Sequence, residues 1–182
     1  MLNTILGSFS TGAPPVAPSS YESIATVTVG SGGSSTITFT SIPATYEHLQ
    51  IRSLFLPSAS ADYRIRFNSN TTAADYARHV LYGDGSSTAA AGVTSAGFVP
   101  LGYAPATTYP TVSIVDILDY RNTNKNTTVR TLYGNDFNGS GIVALASGVW
   151  LKTDAITQID ITASSGTFNQ YSSFALYGIK GS

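Results

Sequence analysis

Tyr63-Arg64-Ile65-Arg66-Phe67 puts three apolar side chains on one side of an extended chain and two arginines on the other. Successive side chains leave a pleated strand on opposite faces, so a period of two marks a half-buried strand. The same alternation continues in both directions. Thr36-Ile37-Thr38-Phe39-Thr40 sets Ile and Phe against three threonines, and Leu49, Ile51, Ser53 and Phe55 alternate with His48, Gln50 and Arg52. β-branched and aromatic residues predict further strands over 21–29, 76–82, 111–120, 127–133, 141–150, 156–163 and 173–179, roughly ten in all.

Turn chemistry separates these runs. Gly30-Ser31-Gly32-Gly33, Asn68-Ser69-Asn70, Gly83-Asp84-Gly85, Asn122-Thr123-Asn124-Lys125-Asn126 and Asn138-Gly139-Ser140-Gly141 all tolerate positive φ. Residues 84–110, rich in Ala, Gly, Thr and Pro with weak periodicity, are expected to form the longest irregular stretch. The pattern predicts an all-β protein, an antiparallel β-sandwich of jelly-roll type filling a single domain over 21–182. Residues 1–20 differ. Pro14, Pro15 and Pro18 impose an extended path, and Leu2, Ile5, Leu6 and Phe9 are too apolar for a solvated tail. This segment is expected to be an N-terminal arm that docks on a neighbouring protein.

Composition narrows the function. The 182 residues suffice for one self-sufficient core. No cysteine is present, so disulfides and thiolate metal sites are excluded. Charged residues make up 10% of the chain, against about 25% in an ordinary domain. The net charge of −1 leaves no basic footprint for nucleic acid or anionic lipid. No apolar run approaches the ~20 residues of a membrane span, and Met1–Ser10 lacks a basic region, so no secretory signal is expected. A surface of Ser, Thr, Asn, Gly and Tyr is hydrated yet weakly self-repelling, which suits close packing against neighbours.

The residues that carry catalysis are sparse. His48 and His79 lack metal-ligand spacing, and no serine lies in Gly-x-Ser-x-Gly. Asp84, Asp116 and Asp119 lie in or beside turns without the twelve-residue calcium pattern, and read as turn-bonding carboxylates. Trp150 ends the apolar run Ile142-Val143-Ala144-Leu145 and reads as core. Tyr103 and Tyr109, in the irregular stretch, are the candidates for surface contact with a neighbouring subunit or a glycan. The expectation is a non-enzyme with no catalytic residue, cofactor or metal.

Several phrases carry a resemblance: Ser20-Tyr21-Glu22-Ser23-Ile24, Ser41-Ile42-Pro43-Ala44-Thr45-Tyr46-Glu47-His48-Leu49-Gln50-Ile51-Arg52, Ile65-Arg66-Phe67-Asn68, Asp116-Ile117-Leu118-Asp119-Tyr120 with Asn124-Lys125-Asn126, and Ser173-Phe174-Ala175-Leu176-Tyr177-Gly178-Ile179-Lys180-Gly181. Over roughly 20–181 the chain resembles short virion proteins of tailed bacteriophages, notably those of cyanobacteria and other aquatic bacteria. The resemblance implies a virion protein assembled in the host cytoplasm. A capsid cement or decoration protein, bound to the major capsid protein or other virion proteins, is the first expectation. A compact domain without a fibrous shaft, bearing an apolar arm, favours it. The alternative is a tail-fibre or baseplate module recognising host glycan. A closed homo-oligomer, a trimer by preference, is expected in either case.

Overall fold

A computed structural model describes residues 19–105 and 108–181. The described residues form β1 (Tyr21–Thr28), β2 (Thr36–Phe39), β3 (His48–Phe55), β4 (Ala61–Phe67), β5 (Tyr76–Gly83), β6 (Thr88–Thr94), β7 (Val99–Ala104), β8 (Thr111–Leu118), β9 (Thr127–Asp136), β10 (Gly141–Trp150), β11 (Ile159–Ala163) and β12 (Ser173–Ile179). One 3₁₀ turn, Ala73–Asp75, precedes β5.

All pairings are antiparallel. An eight-stranded sheet runs β1-β12-β3-β8-β9-β10-β5-β6, and a four-stranded sheet runs β2-β11-β4-β7. Early and late strands pair in both, so the chain closes on itself. The molecule is a two-sheet, all-β sandwich, as the alternation requires. The expected arm lies outside the described residues apart from Ser19 and Ser20, as do Leu2, Ile5, Leu6 and Phe9.

The alternating residues meet between the sheets. Tyr63, Ile65 and Phe67 of β4 are fully buried, as are Leu49, Ile51 and Phe55 of β3. An aromatic cluster fastens the two layers at one end. Phe55 and Tyr63 lie 4.6 Å apart between ring centres, and Phe168 meets Phe174 edge-on at 4.8 Å. Phe168 belongs to no strand, but its backbone exchanges two hydrogen bonds with Ser34 at 2.8 and 2.9 Å. At the other end Trp150, 1% exposed, packs on Phe67.

Residues 84–110 correct the sequence reading: they contain two strands, β6 and β7. β7 escaped notice because Val99, Pro100, Leu101 and Gly102 are all buried, so it shows no alternation. It lies against β8, β9 and β10. Gly148 of β10 makes this approach possible, since a Cβ there would sit 2.6 Å from Val99 Cγ1. β6 escaped because its Ala and Gly residues form an exposed edge with little side chain to alternate. The strand expected over 156–163 is trimmed as well, with β11 starting at Ile159 rather than Ile156.

Two stability predictions follow from this packing. Phe168→Ala should cost about 3–5 kcal/mol in denaturant unfolding, because the cavity opens where both sheets converge. The second concerns alkali. Burial pushes the hydroxyls of Tyr63 and Tyr76 up to about 12. Their unfolded value is about 10. The folded chain therefore keeps these protons where the unfolded chain releases them. Their contribution is complete below about pH 10 and is lost as pH rises toward about 12. Unfolding midpoints followed across that window should fall, and Tyr63→Phe should flatten the fall.

Candidate docking surface

The small sheet covers the inner side of the large one, and among the described residues the outer side is bare. Register fixes what that bare side carries. Ile114 of β8 stands opposite Leu132 of β9, which stands opposite Leu145 of β10, which stands opposite Leu81 of β5. These four aliphatic side chains form a continuous row across four strands. Beside it runs a second row: Leu54 of β3 opposite Val112 of β8, then Gly134 of β9, then Val143 of β10. The seven large side chains of the two rows are between 37% and 61% exposed.

Same-face neighbours in a strand lie two residues apart, so the rows adjoin at Val112 and Ile114 of β8 and at Val143 and Leu145 of β10. Scattered exposed Leu or Val residues need no explanation, but a contiguous patch on the order of 500 Å² is at the top of the range for a monomer surface. The patch crosses β3, β8, β9, β10 and β5, a width of about 20 Å at about 4.8 Å per strand.

A polar border closes one side. His79, Ser147, Arg130, Asp116, Gln50 and Tyr177 follow one another in register. Arg130 is 3.1 Å from Asp116 Oδ2. Gln50 donates to Asp116 Oδ1 at 2.7 Å, and Arg52 donates to Gln50 Oε1 at 2.8 Å. The Arg52 guanidinium then lies 5.5 Å from the rings of both Tyr21 and Tyr177, a cation–π contact at each. Most charges of this face are tied into that border, while Arg52, opposite Ile114, ends the first row and Asp136, two residues beyond Gly134, edges the second.

The residues singled out from sequence fall elsewhere. Tyr103, 40% exposed, lies on β7 rather than in an irregular stretch, and its hydroxyl is 3.0 Å from Ser60 Oγ. Tyr109, 42% exposed, precedes β8 with its ring 6.0 Å from Phe137. Neither stands in the aliphatic rows. His48 Nδ1 accepts a hydrogen bond from the Asp119 backbone at 3.0 Å, with Asp119 Oδ1 at 3.3 Å. Lys125 and His48 hold the Asp119 carboxyl below its ordinary value, the Lys125 hydrogen bond being the larger cause. Asp84 caps its own turn, accepting from the Ser86 and Ser87 backbones, and those bonds lower its pKa. His79 lies exposed in the polar border, with its ring against Gly92.

Among the described residues no group of three or more His, Asp or Glu could hold a metal ion. Comparisons with protein-family models, curated proteins and solved structures found no match.

Sequence reasoning missed the seven-residue patch, although a signal was present. Val112-Ser113-Ile114-Val115-Asp116-Ile117 places aliphatic residues in both phases of one strand. Such a strand is covered on both sides. The small sheet supplies one cover.

Charge on the patch should abolish association without unfolding the chain. Leu132→Glu combined with Leu145→Lys puts an opposite-charge pair across β9 and β10, which keeps the strand pairing favourable. The double variant should keep its thermal midpoint to within a few degrees. The wild-type chain should sediment as an oligomer and the double variant, at the same concentration, as a monomer.

Proposed function

We propose that this chain is a structural subunit of a tailed-bacteriophage particle, a decoration protein of the outer shell. It associates with other copies of itself through the bare outer face of its large sheet. The contiguous aliphatic patch on that face carries the reading. The eight strands span about 34 Å, and a strand of eight residues is about 27 Å tall, giving a face on the order of 900 Å². One partner contributes about 800 Å² to a standard interface, so the face is large enough for a stable contact.

A second copy is the occupant that this chemistry fits. The rows are aliphatic and neutral, and Arg130 and Asp116 beside them are already paired. Such a surface suits a partner with the same properties, and every copy has one. The closed homo-oligomer expected from sequence, with a trimer preferred, buries the patch on each member.

Two further observations support a particle subunit. We read the strand order as a jelly roll: β1-β12-β3-β8 facing β2-β11-β4-β7, with the β5–β6 and β9–β10 pairs inserted to widen one sheet. The low charge and the phrasing of residues 20–181 agree with it. Attachment to the shell is assigned to Leu2, Ile5, Leu6 and Phe9, and truncation at Ser19 should weaken binding to capsids while leaving the sandwich folded.

Labelled-antibody electron microscopy of the particle tests the reading. Label spread over the head is the expected result. Label confined to the tail would transfer the chain to the receptor-binding alternative, and particles without label would overturn the proposal.

A further inference from the structure

The large sheet extends past the small one, and under its overhang lies a second feature, on the side opposite the aliphatic rows. A cleft of about 320 Å³ opens along the edge strand β7, roofed by the inner face of β9, β10 and β5. Val80, Pro100 and Ile142 supply apolar walls. Four polar groups converge between them: the hydroxyls of Tyr82 and Tyr133, the Asp62 carboxylate and the Arg78 guanidinium. They come from three strands of the large sheet's overhang and the small sheet, so their meeting is a product of the fold.

Each polar group has unused bonding capacity. Tyr133 is only 7% exposed. Neither its hydroxyl nor that of Tyr82 has a hydrogen-bond partner among the described residues. The Arg78 guanidinium lies flat on Phe98, 4.5 Å from the ring centre, and Arg64 lies 4.7 Å from the same ring. Arg78 Nη2 reaches Asp62 Oδ2 only at 3.9 Å, and Arg78 Nε is buried without a partner. A buried polar group without a partner is unfavourable by roughly 1–3 kcal/mol, which applies here to Arg78 Nε, while the two hydroxyls and the carboxylate keep bonding capacity open to the cleft. Burial, the largest cause, with Asp62 also raising it, pushes the Tyr133 hydroxyl above its ordinary value, so it stays a neutral donor and acceptor.

The depth of the cleft depends on Gly102. A Cβ at that position would already touch the Tyr133 ring at 3.4 Å, so the further methyl groups of a valine would press on the ring that lines the site. Tyr103, half-exposed beside it, stands at the mouth.

We propose that this cleft binds one neutral, polyhydroxylated ring of pyranose size. The charges decide the class. Asp62 repels an anion and Arg78 repels a cation, while the pair together is neutral. A purely aliphatic ligand would leave all four polar groups unpaired. A sugar ring offers apolar C–H faces to Val80 and Ile142, and hydroxyls that both donate to Asp62 and accept from Arg78 and the two phenols. The volume lies at the low end of ligand pockets, enough for one ring rather than an oligosaccharide. The inference does not rest on the docking face, because the cleft opens on the other side of the sheet and stays accessible when that face is covered.

Saturation-transfer NMR and calorimetry on the full chain test it, with the methyl glycosides of glucose, galactose and mannose as probes. At least one should bind, with a Kd of roughly millimolar order. Tyr133→Phe should weaken it about fivefold and Asp62→Asn about tenfold, as expected for one lost neutral and one lost charged hydrogen bond. Gly102→Val should abolish binding. Circular dichroism and the thermal midpoint confirm folding, and Tyr82→Phe, at a half-buried position, gives a second reading should Gly102→Val not fold. The proposal is overturned if none of the three glycosides transfers saturation. Binding that Tyr133→Phe and Asp62→Asn leave unchanged, or inorganic phosphate binding as tightly as the glycosides, would overturn it equally.

Discussion

A four-stranded sheet cannot cover an eight-stranded one. The aromatic contact of Phe55, Tyr63, Phe168 and Phe174 pins the two layers together at one end, and Trp150 on Phe67 holds the other. Between these anchors the small sheet lies toward the β1 side of the large one, with its edge strand β7 against β8, β9 and β10. The outer side of the large sheet is left bare, and its β5–β6 margin projects beyond β7. The cleft is the consequence of that mismatch, whereas the docking face is the other side of the same sheet, which a two-layer sandwich leaves bare. Were the small sheet two strands wider, the cleft would be core and Tyr133 would need a protein partner for its hydroxyl.

The half of the fold governed by alternation was legible in the sequence. Tyr63-Arg64-Ile65-Arg66-Phe67 could be read because β4 has one dry side and one wet side, and the period of two reports that difference. β7 could not be read, because Val99-Pro100-Leu101-Gly102 is buried throughout and a strand without a wet side has no period. The docking rows fall between these cases. Val112 and Ile114 were visible as apolar residues, yet their phase is opposite to that of Val115 and Ile117, and a single chain does not say which phase meets its own second sheet. The cleft was invisible for a different reason. Asp62, Arg78, Tyr82 and Tyr133 spread over 72 positions without a motif, and only the pairing of β5 with β10 and of β10 with β9 brings the last three together.

Low charge gains a location in this light. Fewer charges overall would make any domain sticky, but here most outer-face charges are drawn into one border, with Asp136 at the opposite margin of the patch. Arg130 faces Asp116, and Arg52 is absorbed by Gln50, Tyr21 and Tyr177. A partner covering the aliphatic rows therefore desolvates few charges, which limits the usual penalty against burying a mixed surface.

Geometry also makes the proposed association self-limiting. β6 and β1 are the free edges of the large sheet, and edge pairing between copies would extend the sheet without end. The aliphatic patch is a face, and each copy has one. Around a two-fold axis the patch meets itself, and around a three-fold axis each patch is shared by two neighbours. Either arrangement uses up the apolar surface and stops. β6 helps to keep the edge route closed: Ala89, Ala90, Ala91 and Gly92 give an added strand almost no side chain to pack against, and cross-strand side-chain contact is what stabilises strand addition. The chain thus places its strong adhesive surface where growth terminates and leaves the non-terminating surface weak.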